Sequence, residues 1–185
     1  MTNPKQKLPR TCDFLSFYCI FLRKLKKLCY LQVLICYNRE NERKGNDYMK
    51  VIVCVDDNNG MMFNNRRQSR DRILIEDVVK NVIGGNLLMA PYSEPLFKDS
   101  NIDAFFLSEY ILDEAAPEDY CFIENKALLP YSDRIDELII YRWNRTYPAD
   151  MHLDIDPAAL SMKLMSTTEF AGSSHEKITK ELYKR

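Results

Sequence analysis

Residues 64–72 concentrate side chains that can bind an anion. The stretch carries four arginines together with amide and hydroxyl groups. A guanidinium group pairs with phosphate in a bidentate geometry, and a helix that begins nearby adds backbone N–H groups and a favourable dipole. The sequence therefore predicts an anion site formed by Arg66, Arg67, Gln68, Ser69 and Arg70.

The ligand predicted for this site is a small anion, a nucleotide or the backbone of RNA. Asn64, Asn65 and Gln68 carry amide groups that could contact the edges of bases. The alternative interpretation is a solvated basic loop whose arginines pair with carboxylates of the same domain. Salt-sensitive anion binding that depends on the arginines would distinguish the two.

The rest of the sequence offers few catalytic patterns. Its two histidines are His152 and His175, and it contains no motif typical of zinc enzymes, P-loop proteins, serine hydrolases or dinucleotide-binding folds. Ser174 precedes His175, and such a pair could be nucleophilic, but the sequence identifies no acid to orient the histidine. His175 is equally interpreted as a turn residue at the start of a strand. No metal and no cofactor are predicted.

Charge and cysteine are unevenly distributed along the 185 residues. Residues 1–48 carry ten Lys and Arg against four Asp and Glu, whereas residues 49–185 carry 16 against 23. The formal net charge of −1 excludes a global field that would attract nucleic acid or membranes. Cys54 and Cys121 lie in apolar runs, which is typical of small buried thiols in a reducing, cytoplasmic compartment.

Residues 1–48 form a basic upstream segment of different character. Its apolar runs, residues 14–22 and 28–37, are each too short to span a membrane. One interpretation is a basic helix on a membrane surface. The other is that translation starts at Met49, because Lys44-Gly45 is encoded by a purine-rich run similar to a bacterial ribosome-binding site. We then expect a disordered segment, and mass spectrometry of the native protein should find no peptides before Met49.

Residues 49–185 show the pattern of a single α/β domain. Residues 51–55 are an apolar, β-rich run, which predicts an interior strand with Val53 and Val55 buried. Further strands are predicted at residues 87–90, 104–107, 120–123, 136–141, 167–170 and 177–183. Strands that alternate with helices favour a mostly parallel central sheet flanked by helices on both faces.

The main predicted helix follows the arginine-rich stretch. Ser69 is a plausible N-cap, Asp71 would lie in the first turn, and Gly84-Gly85 would end the helix. An apolar face of helical period lies between these limits. A second, short helix is predicted at residues 125–131.

The order of these segments resembles the dihydrofolate reductase family. The family opens with a strand that ends in Asp and an Asn-Gly turn, and it continues through an acidic helix start, a strand, a second apolar strand, an Asp-Glu-Leu strand, a Gly-Asp-x-x-Phe-Pro segment and a closing hairpin. The corresponding segments here are residues 51–56, 59–62, Asp71, 87–93, 121–125, 136–140, 149–154 and 168–175.

This resemblance implies a reductase fold in which Asp71 is the candidate catalytic, pterin-binding carboxylate. It also implies that phosphates of NADPH would be held by a Gly-Gly pair and a Gly-Arg-x-Thr motif. Glu124-Asn125 and residues 90–93 (Ala-Pro-Tyr-Ser) stand in those places. We therefore expect a domain that has lost reductase activity and binds a nucleotide or another anion. The alternatives are a diverged NADPH-dependent reductase and an RNA-processing hydrolase.

A second resemblance bears on the hydrolase alternative. Residues 49–72 are similar to the start of short clostridial-type proteins that carry the label ribonuclease Z. True ribonuclease Z binds two zinc ions through a motif rich in His and Asp. This sequence has no such motif, so the residues themselves do not support that activity.

Overall fold

The computed structural model describes residues 48–100, 102 and 105–185. Predictions made for residues 1–47 lie outside this part of the chain. The strands are β1 (Met49–Val55), β2 (Gly60–Phe63), β3 (Arg66–Arg67), β4 (Asn86–Met89), β5 (Phe105–Leu107), β6 (Asp119–Ile123), β7 (Ile135–Arg142), β8 (Met151–His152), β9 (Lys163–Phe170) and β10 (Ile178–Lys184). The helices are α1 (Arg72–Asn81), α2 (Glu94–Phe97), α3 (Ile111–Glu114) and a 3₁₀ helix at Leu129–Arg134.

Seven strands form the central sheet, in the order β5-β4-β6-β1-β7-β10-β9. The first five strands of that order are mutually parallel, and β10 runs antiparallel to both of its neighbours. β1 lies in the interior, where Val51 pairs with Cys121 on one side and Leu138 on the other. Val53 and Val55 are 0% exposed. The predicted mostly parallel α/β sheet and its interior first strand are confirmed.

Each face of the sheet carries its own core. Val53 faces one core, which also contains the apolar residues of α3. Ile52 faces the other, which contains the buried face of α1 and Phe97 of α2. Alternate residues of β1 therefore serve opposite cores, which explains why residues 51–55 are apolar without interruption. Helices pack on both faces, as predicted.

The N-cap of α1 is Asp71, which corrects the prediction of Ser69. The carboxylate of Asp71 accepts hydrogen bonds from the backbone N–H groups of Ile73 and Leu74, and its own backbone is extended. Both residue types are good N-caps, but only Asp71 has the position and geometry to reach these N–H groups. The helix ends at Asn81, before Gly84, whose φ of +88° favours glycine.

A second, three-stranded sheet was not predicted. It has the order β3-β2-β8, and β2 and β3 form an antiparallel hairpin. Asn64 and Asn65 both have positive φ, 49° and 57°, which is the conformation of a tight hairpin turn. The stretch interpreted as a basic loop is therefore in part a hairpin that fixes Arg66 and Arg67.

Three smaller differences concern local structure. The helix expected at residues 125–131 is a 3₁₀ helix at Leu129–Arg134. Cys121 is fully buried as expected, whereas Cys54 is only half-buried. Within the described ranges, no helix has the length and apolar character needed to span a membrane.

Candidate functional site

A cleft of about 520 Å³ lies beside the β2–β3 hairpin, and we call it the hairpin cleft. It is lined by Phe63, Asn64, Arg66, Arg67, Gln68, Tyr147 and Pro148. The buried carboxylate of Asp56 joins its two walls, because it accepts hydrogen bonds from the backbone N–H groups of Gly60 (2.6 Å) and Tyr147 (2.9 Å). The hairpin and the segment that carries Tyr147 are therefore held together by one side chain.

Arg67 is anchored deep in this cleft. Its Nη2 donates to the carbonyl oxygen of Tyr92 (2.8 Å) and lies 3.4 Å from a carboxylate oxygen of Glu124. Its guanidinium group also lies over the ring of Tyr92, 4.5 Å from the centroid. The other terminal nitrogen, Nη1, is buried and has no hydrogen-bond partner among the residues that the structure describes. Arg67 therefore retains unused hydrogen-bonding capacity.

Gln68 has a similar unused group. Its Oε1 is buried without a hydrogen-bond partner in the described part of the chain, while its Nε2 lies 3.5 Å from the carbonyl oxygen of Pro148. A buried polar group without a partner costs about 1–3 kcal/mol. The only two such side-chain atoms found among the described residues belong to adjacent residues of the hairpin cleft. A ligand that supplies both an acceptor and a donor would satisfy them.

Glu124 is the internal counter-charge of Arg67. Its side chain is 8% exposed and accepts a hydrogen bond of 2.6 Å from the hydroxyl of Ser93. Burial raises the pKa of Glu124 above its ordinary value of 4.5, against the opposing effects of the Ser93 hydrogen bond and the charge of Arg67. Ser93 and Glu124 belong to the two segments where the reductase resemblance placed contacts to cofactor phosphates. In this chain the carboxylate of Glu124 contacts Ser93 and Arg67 at that place.

The carboxylate of Asp71 is buried and fully engaged. Its Oδ1 accepts from the backbone N–H groups of Ile73 (2.9 Å), Leu74 (3.2 Å) and Ser173 (3.0 Å). Its Oδ2 accepts from the backbone N–H (2.7 Å) and the hydroxyl (3.0 Å) of Ser174. The β9–β10 connection is therefore fastened to the start of α1 by one carboxylate.

These contacts keep Asp71 ionised. Burial alone would raise its pKa, but the backbone hydrogen bonds from Ser173, Ser174 and Leu74 outweigh burial. The pKa of Asp71 consequently lies well below its ordinary value of 3.8. Asp71 is thus a permanent acceptor near neutral pH and not a proton donor.

His175 joins Asp71 to Ser69. Its Nδ1 lies 3.3 Å from Oδ2 of Asp71, and its Nε2 lies 3.2 Å from Oγ of Ser69 and 3.1 Å from the hydroxyl of Tyr147. The ring stacks on Trp143 at a centroid distance of 4.7 Å. The orienting acid that the sequence did not reveal is Asp71, which is 104 residues away from His175 in the chain.

The five residues predicted to bind an anion do not face one cavity. Arg66, Arg67 and Gln68 line the hairpin cleft, whereas Ser69 contacts His175. Arg70 is exposed and lines a separate cleft of about 360 Å³ at the start of α1, which we call the α1 cleft. Arg67 and Arg70 together line a further cleft of about 440 Å³, but none of these three clefts contains all five residues.

Comparisons with known proteins agree on the fold alone. No family model and no curated protein matches the chain. Among solved structures, the chain is similar to a dihydrofolate reductase from Enterococcus faecalis complexed with NADP(H) and RAB-propyl, with a TM-score of 0.50 and 13% identity over 76% of this chain and 97% of that chain. The chain has a dihydrofolate reductase-like fold. The expected fold class is thereby confirmed, whereas nothing in the comparisons supports a link to ribonuclease Z.

No group of three or more His, Cys, Asp or Glu side chains that could hold a metal ion occurs among the residues described by the structure. The acidic residues of the site face backbone N–H groups, a guanidinium group and hydroxyls instead.

Proposed function

We propose that this domain is a reductase-like scaffold that has lost reductase activity and binds a nucleotide-type anion in the hairpin cleft. The observation that carries the proposal is the buried, unpartnered Nη1 of Arg67 beside the exposed Arg66. A phosphate group offers the acceptors that such a nitrogen needs, and hydrogen bonds to charged groups are stronger than neutral ones.

The cleft also offers a surface for a base. Phe63 is 42% exposed, although a large aromatic side chain is normally buried. Its neighbours in the cleft include the ring of Tyr147 and the amides of Asn64 and Gln68. Aromatic rings stack on bases, and amides bond to base edges, which is the usual mode for single nucleotides and unpaired RNA. A nucleoside monophosphate is the smallest ligand that uses both halves of the cleft.

The contacts of two carboxylates support the proposed loss of reductase activity. Five hydrogen bonds from the described backbone and Ser174, with a further contact from His175, already use Asp71, so neither oxygen has capacity for a pterin. Glu124 brings negative charge to a position where the resemblance requires phosphate. A phosphate there would face a buried like charge.

Replacing Arg66 with alanine should weaken the binding of AMP about 10-fold to 100-fold, because a charged hydrogen bond is worth about 1.5–3 kcal/mol. Isothermal titration calorimetry of the full chain measures this change. Arg72→Ala is the matched control, since Arg72 is also exposed but pairs with Glu76 outside the hairpin cleft. Affinity should fall with rising salt. Equal affinities of Arg66→Ala and wild type for AMP would show that Arg66 is part of a solvated surface and does not bind the ligand.

Replacing Glu124 with glutamine should tighten anion binding, because the substitution removes the charge that neutralises Arg67. Glutamine can still accept the hydrogen bond from Ser93. The expected gain is about 1 kcal/mol, or roughly fivefold in affinity, at an effective dielectric that is intermediate between water and the protein interior.

The charge of Glu124 also predicts that anion binding depends on pH. Sulfate can report this dependence, because its own charge stays constant. Since the pKa of Glu124 is raised above 4.5, its carboxylate gains a proton as the pH falls toward that value, and Arg67 is then no longer neutralised. Sulfate affinity of the wild type should rise as the pH falls through this range, and that of Glu124→Gln should rise less. Parallel pH profiles for the two proteins would contradict a role of Glu124.

A further inference from the structure

Three side chains outside the hairpin cleft form a continuous hydrogen-bonded series. Oγ of Ser69 lies 3.2 Å from Nε2 of His175, and Nδ1 of the same ring lies 3.3 Å from Oδ2 of Asp71. The side chains of His175 and Asp71 are 2% and 0% exposed. A hydroxyl, an imidazole and a buried carboxylate in this order match the geometry by which a base activates a nucleophile and an acid orients the base.

The surrounding contacts fix the tautomer of His175. Asp71 is ionised and can only accept, so the proton of its contact with the ring belongs to Nδ1. The hydroxyl of Ser174 also lies 3.1 Å from Nδ1, but its single hydrogen is directed to acceptors on Arg70 (2.9 Å) or Asp71 (3.0 Å). Nε2 therefore carries the lone pair, and it faces the hydroxyl of Ser69.

Packing holds the imidazole in this orientation. Trp143 stacks on the ring with an interplanar angle of 27°. Tyr147 approaches the same nitrogen as Ser69, at 3.1 Å. A neutral imidazole nitrogen has one lone pair, so the hydroxyls of Ser69 and Tyr147 compete for it. Tyr147 is thus expected to make this lone pair less available to Ser69.

Ser69 is the most exposed of the three side chains in this series. It is half-buried and lies between the two clefts in the sequence. Gln68 on one side lines the hairpin cleft, and Arg70 on the other lines the α1 cleft. A nucleophile must be accessible while its base and acid are shielded from water. Ser69 is half-buried, whereas the side chains of His175 and Asp71 are almost fully buried.

We propose that Ser69 is a nucleophile that cleaves carboxylic esters, with His175 as its general base and Asp71 as a positioning residue. His175 Nε2 takes the hydroxyl proton as Oγ bonds to the carbonyl carbon. The ester C–O bond then breaks, and the alcohol leaves with that proton. Water repeats the steps, which releases a carboxylic acid and restores Ser69. Arg70, the next residue in the chain, brings a positive charge to the lining of the α1 cleft. This proposal does not rest on the proposed function.

A fluorophosphonate probe tests the nucleophile directly. The full chain should become labelled at Ser69, with loss of fluoride, and peptide mass spectrometry should locate the adduct. Ser69→Ala should abolish labelling. Ser166→Ala is the matched control, because Ser166 is an exposed serine of β9 that pairs with Leu182 in the sheet and should leave the labelling unchanged. Tyr147→Phe should raise the labelling rate, since it removes the competing hydroxyl.

A second readout does not depend on any variant that could fail to fold. The ¹⁵N chemical shifts of the His175 ring should show a protonated Nδ1 and an unprotonated Nε2 near neutral pH. A third readout does use a variant: hydrolysis of p-nitrophenyl acetate should be lost in Ser69→Ala. Labelling at Ser174 or at a histidine, no labelling at all, or a proton on Nε2 would overturn the proposal. None of these outcomes depends on whether the hairpin cleft binds an anion.

Discussion

Replacing Asp71 with alanine is expected to lower the free energy of unfolding by about 4 kcal/mol. The carboxylate caps α1, and loss of an N-cap costs about 0.5–2 kcal/mol. It also satisfies the backbone N–H groups of Ser173 and Ser174, and a hydrogen bond to a charged group is worth about 1.5–3 kcal/mol. The expected change in the free energy of unfolding is smaller than the sum of these values, because the contributions of neighbouring contacts are not additive. Urea unfolding followed by circular dichroism measures the change.

Asp156→Ala is the matched control for this prediction. Asp156 is exposed, and its carboxylate accepts a local hydrogen bond from the backbone N–H of Ala158. Its loss should cost less than about 1 kcal/mol.

Because the pKa of Asp71 is lowered by folding, its stabilisation is fully present above about pH 3.8 and disappears as the pH falls further. The difference between wild type and Asp71→Ala should therefore narrow below pH 3.8. A constant difference would show that the charge of Asp71 is unimportant.

Replacing Gly172 with alanine should lower the free energy of unfolding by about 3 kcal/mol. A Cβ at this position would contact Oδ2 of Asp71 and lie 2.8 Å from Cδ1 of Ile178, which is too close. Overpacking costs about 1–3 kcal/mol, and any displacement of Asp71 weakens its hydrogen bonds as well. The expected result is at the upper end of this range. The same urea unfolding experiment measures it.

Gly84→Ala is the comparison that isolates packing from backbone strain. Gly84 has a φ of +88°, but a Cβ there would meet no atom within 4 Å. The strain of a left-handed residue should cost about 1–2 kcal/mol. If Gly84→Ala destabilises the domain more than Gly172→Ala does, close packing of the β9–β10 connection against Asp71 is not a main source of stability.

The sequence was sufficient to predict the interior of the central sheet, because β1 and β7 are long and carry runs of buried apolar residues that include β-branched ones. Residues 51–55 are buried on both faces of the sheet. Such a strand is apolar throughout, so its sequence lacks the spacing of apolar residues that is typical of a surface helix. The second sheet could not be predicted. β3 and β8 have two residues each, and these are Arg66–Arg67 and Met151–His152, which have no apolar periodicity. Their pairing is determined by the turn at Asn64–Asn65 and by contacts that are distant in the chain.

The candidate site could likewise be predicted from the sequence only in part. The density of arginines is visible in the sequence, but the carboxylate that neutralises Arg67 comes from Glu124 on another segment. Asp71 and His175 were both noted as candidates, yet 104 residues separate them, and only the fold brings them within 3.3 Å. Sequence spacing identifies groups that act within one element. It does not identify groups that meet across the sheet.

A ¹⁵N–¹H NMR titration of the full chain with AMP is the measurement that tests the central claim most directly, because it reports each backbone position separately. The account predicts that the largest shifts occur at Asn64, Arg66, Arg67 and Gln68, while the N–H signals of Ser173 and Ser174, which Asp71 holds, stay in place. Saturable shifts that are largest at Ser173 and Ser174, or no saturable shifts in the hairpin cleft, would contradict it.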